Sequence, residues 1–272
     1  MDKIESMFYK KMQKVDFSVC GILDANNQIH TLGTDSKIIG RVFEIFTQPV
    51  LEEIASELGL ELRNPSSQTI YPDFVLMEDE QSNNKIAIDI KTTYVVRDSS
   101  PIKFTLGSYT SYMRNNTKNI EYTYTQYSKH YVIGFVYKRR GSAQESKVYH
   151  YDNRDNVICP YFDVKYFIQE KYKISGDKPG SGNNENIGSF KTSNFEDLKN
   201  GKGPFRQLGH EIYDLYWKYY PKYRSTNQEY TDLDSFILWL ENKTTPPVLL
   251  YAYDFENVLN KISAYKLNHS TS

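Results

Sequence analysis

Tyr71 to Tyr94 reads YPDFVLMEDEQSNNKIAIDIKTTY. The runs DFVLM and KIAIDIK alternate or run apolar, and the polar stretch EDEQSNN between them has turn composition, so the spacing predicts a β-hairpin. Symmetric pairing about Gln81 sets Asp73 opposite Asp89, Phe74 opposite Ile88 and Leu76 opposite Ile86. Side chains alternate along a strand. Phe74, Leu76, Ile86, Ile88 and Ile90 therefore share one face, and Asp73, Asp89 and Lys91 share the other. Like charges set directly opposite each other destabilise a sheet. A divalent cation between them reverses the sign. Hard oxygen ligands of this kind suit Mg²⁺, which takes one or two carboxylates and keeps waters or substrate phosphate. Lys91 points the same way and could stabilise charge on a phosphate or help position and deprotonate an attacking water. Spacing alone also allows a surface ion cluster of Asp89 with Lys91 and Lys85.

Working outward, TDSKIIGRVFEIFTQPVLEEIASELGLEL precedes the hairpin. Thr34, Asp35 or Ser36 caps a helix whose apolar stripe is Ile38, Ile39, Val42, Phe43 and Phe46, and Pro49 is expected to kink or divide it. Glu44 lies on the polar side of this helix with Lys37, Arg41 and Gln48. It serves either as a further carboxylate for the hairpin site or as the partner of Arg41, three residues earlier. Lys3 to Gln13 reads as a helix, and FSVCGILDANNQIHTLG as a hairpin turning at ANN. Tyr131 to Lys138, YVIGFVYK, reads as a buried strand, and SKVYHYDN and DVKYFIQEKYKI as shorter ones. Lys173 to Ser189 reads as a long Gly/Asn-rich loop. GHEIYDLYWKYY, DLDSFILWLEN and Asp254 to Leu267 read as helices. Strands and helices mingle without repeats or a clear linker, which predicts a mixed α/β fold in one domain.

The 272 residues are enough to build a core without staples. With 33 basic and 34 acidic residues the formal charge is −1, so nucleic-acid binding is not announced by net charge; a local basic groove balanced elsewhere remains open. The 24 tyrosines suit interfaces and wet surfaces, or reflect coding bias. Cys20 and Cys159 are the only cysteines, which excludes Cys-rich zinc sites and fits reduced thiols in a cytoplasmic protein better than a disulfide scaffold. The N-terminus lacks the apolar core of a signal peptide, and no apolar run reaches the roughly eighteen residues of a membrane span.

Pro72-Asp73 followed by IDIK, with Asp89 and Lys91, resembles the PD-(D/E)xK nuclease motif. VCGI, LGTDSK, FEIF, YPDF, NKIAIDIKTTY, IKFTLGSYTSYMRNNTKNI and GSGNNENIGS, in this order, resemble type II restriction endonucleases of the EcoRV kind, from about Val15 to about residue 240. The resemblance implies a restriction-endonuclease-like core, a central mixed β-sheet flanked by helices with a small dimerisation hairpin. It covers a catalytic and DNA-binding domain over 1–245, with 246–272 as a C-terminal extension packed on it or lying over the DNA. It implies an Mg²⁺-dependent homodimer that cleaves both strands of a short palindromic duplex and leaves 5′ phosphates. Asp73 and Asp89 would bind the metal, with the Ile90 carbonyl and Glu44 as further ligands. Lys91 would be the catalytic lysine, and Lys37 would reach the DNA backbone or a reactive water.

Two loops would meet the bases. Gly180, Ser181, Gly182, Asn183, Asn184 and Asn186 would enter the major groove, where asparagine can bind adenine N6 and N7 together. No Gly-Lys-Ser/Thr ends this loop, so a nucleotide cradle is not expected. Gln68 and Thr69 would approach the minor groove. Thr92, Thr93, Thr105, Ser111, Arg114, Asn116 and Lys118 would mostly contact phosphates, which position a duplex without reading it. The expected target is GATATC, cut bluntly at its centre. The departures fall on the reading loops: Asn184 and Glu185 stand where the family has threonines, Ser66 and Ser67 stand in its Lys-Gln stretch, and Thr69 replaces an asparagine. Dimer contacts are expected from Val19 to His30 and from Lys147 to Tyr151. Rival readings are a repair or structure-specific nuclease of the same fold, a non-catalytic DNA-binding module, and a tyrosine-rich carbohydrate binder.

Overall fold

A computed structural model describes residues 2–180, 185–222, 226, 228–242 and 255–269. Seven α-helices and eleven strands are laid out among them, in two compact units. The first comprises Met1–Pro65, Pro72–Ile102 and Ser128–Ile168; the second comprises Ser66–Tyr71, Lys103–Tyr127 and Gln169–Ser272. The chain passes from one to the other several times, so no composition shift marks a boundary. Residue 245 itself lies outside the described residues.

In the first unit, helix α1 (Lys3–Met12) opens with a capping box: the Asp2 side chain accepts from the Glu5 N–H, and Glu5 accepts from the Asp2 N–H. Strands β1 (Gly21–Leu23) and β2 (Gln28–Thr31) form the expected hairpin, and β8 (Val148–His150) adds to β2 to make a three-stranded sheet. Helix α2 (Ser36–Leu58) starts at Asp35, whose carboxylate accepts from the N–H groups of Lys37 and Ile38 at 2.7 and 3.2 Å. It ends at Gly59, whose φ of 69° is a left-handed cap that glycine takes without strain. Pro49 lies inside this helix without dividing it, which corrects that half of the expectation. Ile39, Phe43, Val50, Leu51, Ile54 and Ala55 are buried on both sides of it, and that burial outweighs the hydrogen bond the proline cannot make.

The five-stranded sheet has the order β3 (Glu61–Arg63), β4 (Phe74–Met77), β5 (Lys85–Tyr94), β7 (Tyr127–Arg139), β9 (Tyr161–Glu170). With α1 and α2 it forms one apolar core containing Phe8, Phe43, Phe74, Ile88, Ile90 and Phe135. Phe43 is fully buried and stacked on Phe135, with ring centroids 4.6 Å apart. Phe43→Ala is expected to cost about 3–5 kcal/mol in urea unfolding, because the neighbours cannot close the space left by a ring. An unchanged midpoint would show that this stack does not support α2.

Cys20 and Cys159 are joined by a disulfide, which corrects the expectation of two free thiols. Their 139-residue separation in sequence hid the fact that the chain entering β1 lies beside the chain entering β9.

In the second unit the stretch expected as one long loop is largely a ladder. Strands β10 (Ser175–Pro179) and β11 (Asn186–Ser189) pair antiparallel, and β6 (Thr105–Ser108) pairs with β11. Their glycines disguised them: Gly180 and Gly188 approach so closely that a Cβ on either would lie within 3.3 Å of the other's backbone. Helices α3 (Lys171–Ile174), α4 (Phe195–Lys199), α5 (Gly209–Tyr219), α6 (Leu233–Glu241) and α7 (Phe255–His269) complete the unit. Its core is aromatic, with Tyr109, Tyr216, Trp217, Tyr230 and Phe236 buried, so part of the tyrosine content serves the interior rather than wet surface. The Tyr216 and Tyr230 hydroxyls donate to the carbonyls of Asp177 and Tyr216. Helix α7, in the C-terminal extension, is ion-paired to α5 through Lys261 and Glu211 and to α6 through Lys266 and Glu241. Among the described residues no helix is long and apolar enough to cross a membrane.

Candidate active site

Strands β4 and β5 pair antiparallel with Phe74 opposite Ile88, Val75 opposite Ala87 and Leu76 opposite Ile86, the register expected from the sequence. One step beyond the last pair, the Asp73 Oδ2 accepts from the Ile90 N–H at 2.6 Å. The Asp73 side chain thus ends the ladder with its carboxylate turned toward β5. Asp89 is 3 % exposed, and its Oδ1 accepts from the Lys91 ammonium at 2.8 Å. Lys85 takes no part in a surface cluster here: it is buried, and its ammonium donates to the carbonyls of Glu80 and Ser82, so it tightens the turn.

The electrostatics mark these groups as one site. Burial, and then the charge of Asp89, push the Asp73 carboxyl up to about 7, against the pull of Lys91 and the Ile90 N–H. Burial would push Lys91 down, but the charges of Asp89 and Asp73 outweigh it and hold the ammonium above the usual lysine range. The charge of Glu44 acts on both Asp73 and Lys91. Glu44 pairs with Arg41, at 2.6 Å, as the second reading of that residue had it. Helix α2 passes close to β5 at Gly40, where a Cβ would lie 3.4 Å from the Thr92 Oγ1. Lys37 is exposed in the first turn of α2. Thr92 and Thr93 follow Lys91 on β5. Among the described residues, no three His, Cys, Asp or Glu side chains converge closely enough to hold a metal by themselves.

The remaining candidates lie in the second unit. Gln68 and Thr69 are exposed on a tight loop, in which the Ile70 N–H donates to the Ser67 carbonyl. That loop is anchored by Glu121, whose Oε2 accepts from the N–H and the hydroxyl of Ser66, both at 2.8 Å. Nothing in the sequence signalled this contact, because 55 positions separate the partners. The Ser111 hydroxyl is buried and donates to the Lys118 carbonyl, and the Asn116 carbonyl accepts from the Tyr124 N–H; Asn116 and Lys118 themselves are exposed. Arg114 turns inward, donating to the Tyr220 carbonyl and lying over the Tyr109 ring. Thr105 pairs with Gly188. The Gly180 N–H donates to the Asn186 carbonyl at 2.7 Å, which closes the base of the Gly/Asn-rich loop. Ser181, Gly182, Asn183 and Asn184 lie outside the described residues. Glu185, one of the departures noted above, accepts from the Thr110 hydroxyl at 2.7 Å.

A mixed sheet with Pro-Asp immediately before one strand and Asp-Ile-Lys on its neighbour, with a helix alongside, fits a nuclease of the restriction-endonuclease fold. The sequence comparisons make this specific. A family model described as restriction endonuclease EcoRV matches residues 13–241. A type II restriction enzyme EcoRV from Escherichia coli is 42 % identical over 234 residues, covering 85 % of this chain and 94 % of that protein. The chain belongs to the EcoRV family of type II restriction endonucleases and is a site-specific deoxyribonuclease.

Proposed function

We propose that the protein is an Mg²⁺-dependent homodimer that hydrolyses both strands of a short palindromic duplex and leaves 5′ phosphates. The observation that carries this reading is the β4–β5 register, which turns Asp73, Asp89 and Lys91 to one face. The donor set fits the ion. Asp89, buried, and Asp73, half-buried with its carboxyl pushed up by burial and the charge of Asp89, offer hard oxygens, and Mg²⁺ needs no more than one or two. Asp73 and Asp89 would hold it, with the Ile90 carbonyl and Glu44 near enough in the chain and on α2 to contribute. When bound, Mg²⁺ would lower the pKa of a water and neutralise charge on the departing 3′ oxygen.

The protein's own residues do the rest. Lys91, held by Asp89, points its ammonium at the site and stabilises charge building on the phosphate. Lys37, at the free end of α2, adds a second cation toward the backbone or the water. The water attacks phosphorus in line, the bond to the 3′ oxygen breaks, and the products are a 3′ hydroxyl and a 5′ phosphate. Thr92, Thr93, Thr105, Asn116 and Lys118 supply donors for phosphates; Ser111 and Arg114 join them only if they release the Lys118 and Tyr220 carbonyls. Gly180 to Asn186 would read the major groove and Gln68 and Thr69 the minor groove.

A second copy of the chain would double these elements about a two-fold axis, as a palindrome demands. Ile22, Leu23, Val148 and Tyr151 are exposed on or beside the β1-β2-β8 sheet and supply apolar surface for that contact. The target suggested by the family is GATATC cut bluntly, with Asn184 and Glu185 as the positions where it can differ. No nucleotide cofactor is called for, and the cytoplasm is where such an enzyme would meet incoming DNA.

The test is digestion of a DNA of known sequence, followed by sequencing of the fragment ends. One recurring palindrome at every end, 5′ phosphates, and loss of cutting in EDTA are expected. Cutting of branched or damaged DNA alone would favour a repair nuclease. Binding without cutting in any divalent metal would favour a DNA-binding module.

A further inference from the structure

Lys171, on α3, is 2 % exposed, and the mechanism above makes no use of it. Burying an ammonium is costly unless its surroundings repay the lost water. Here two tyrosines do so. The Nζ lies 3.9 Å from the centre of the Tyr71 ring and donates to the Tyr112 hydroxyl at 3.2 Å. The Tyr71 and Tyr112 rings stack with centroids 4.3 Å apart, and Tyr124 continues the stack 5.8 Å beyond Tyr112. The Tyr124 hydroxyl donates to Asp214 on α5 at 2.7 Å. Asp214 is pushed up to about 7 by burial, against the Tyr124 hydrogen bond and the charges of Lys218 and Lys171. Space for the Tyr112 hydroxyl is left by Gly107, at φ 100°, where a Cβ would lie 2.6 Å from that oxygen.

The position of Tyr71 gives this cluster its interest. Tyr71 closes the segment that carries Gln68 and Thr69. Its N–H donates to the Asn119 carbonyl and its carbonyl accepts from the Glu121 N–H, so it pins that segment to the one carrying Asn116 and Lys118. We propose that Lys171 is a positioning residue: its buried ammonium clamps Tyr71 against Tyr112, and so holds the Ser66–Tyr71 segment where Gln68 and Thr69 meet the DNA. The proposal rests on the reading of that segment as a DNA contact. A buried cation that lies over one ring and donates to the hydroxyl of the ring stacked on it gives a directional hold that an apolar side chain of the same length cannot reproduce.

Lys171→Met keeps the length and removes the charge; Lys171→Arg keeps a cation that can stack on tyrosine. In steady-state cleavage of a duplex bearing the mapped site, Lys171→Met is expected to raise KM about tenfold with kcat within about threefold of wild type. Lys171→Arg is expected to bring KM back to within about threefold. Hydrogen exchange should quicken in Lys171→Met at the Tyr71 and Glu121 amides while α5 keeps its protection. An unchanged KM, an arginine variant as impaired as the methionine one, or exchange quickened equally along α5 would each overturn the proposal, the last by making Lys171 a general support of the fold. If wild-type protein cleaves no duplex, the functional reading fails on its own. The exchange comparison needs no cleavage and still decides whether the ammonium holds the segment.

Discussion

Lys91→Ala is expected to reduce single-turnover cleavage of the target duplex by about a thousandfold or more, equivalent to roughly 4 kcal/mol of transition-state stabilisation. The side chain is held by Asp89 at 2.8 Å on the face it shares with Asp73, where, on the proposed function, its ammonium would meet charge developing on the phosphate. Binding of the intact duplex should weaken far less than the rate, because many other donors hold the phosphate backbone. The variant also removes the cation that pairs with Asp89 and whose charge acts on Asp73. Its Tm should therefore fall in EDTA and recover when Mg²⁺ is added, by the stabilisation that any ligand of the folded state confers. A rate within tenfold of wild type would remove Lys91 from the chemistry.

The second large effect pairs a loss of activity with a gain in stability. Asp73→Asn keeps an oxygen that can accept from the Ile90 N–H but removes the charge. In the folded chain the Asp73 carboxyl sits near 7, against 3.8 unperturbed, so the folded state holds a proton that the unfolded state has released. That contribution is complete below about pH 4 and is lost as the pH rises through about 7. The metal-free wild type should thus lose stability across this window, and the asparagine variant should not. At pH 8 in EDTA the variant is expected to be more stable by about 1–3 kcal/mol, and Mg²⁺ titration should raise its Tm less than that of the wild type. Cleavage should be lost. Equal stability of the two proteins at pH 8, or an unaltered response to Mg²⁺, would mean that the two carboxylates do not share a cation.

The catalytic strands were legible because everything needed lay within one hairpin. A period of two sorted Phe74, Ile86, Ile88 and Ile90 from Asp73, Asp89 and Lys91, and a polar turn fixed the register. The cap of α2, which the sequence narrowed to Thr34, Asp35 or Ser36, was equally local. What escaped was long-range. The bridge between Cys20 and Cys159 brings together thiols that sequence distance had separated. The β10–β11 ladder was hidden by glycines chosen for close backbone approach, and Pro49 carried the local signal of a break that the core overrode. Lys171, Tyr71, Tyr112, Tyr124 and Asp214 come from five segments, and no spacing rule could have gathered them. Glu121 under the Ser66 loop belongs to the same class.

The two functions of such an enzyme are therefore wired at different ranges. On the proposed reading, the chemistry would depend on neighbours that meet across a single turn, with Asp73 and the Ile90 amide 17 positions apart. Contact with the bases would depend on partners such as Ser66 with Glu121, 55 positions apart. Descendants of one ancestor can then drift in the word they recognise, through exchanges scattered over remote segments, while the cutting apparatus is inherited as a short cassette. The substitutions at Asn184 and Glu185 beside an intact IDIK are what such a history would leave behind.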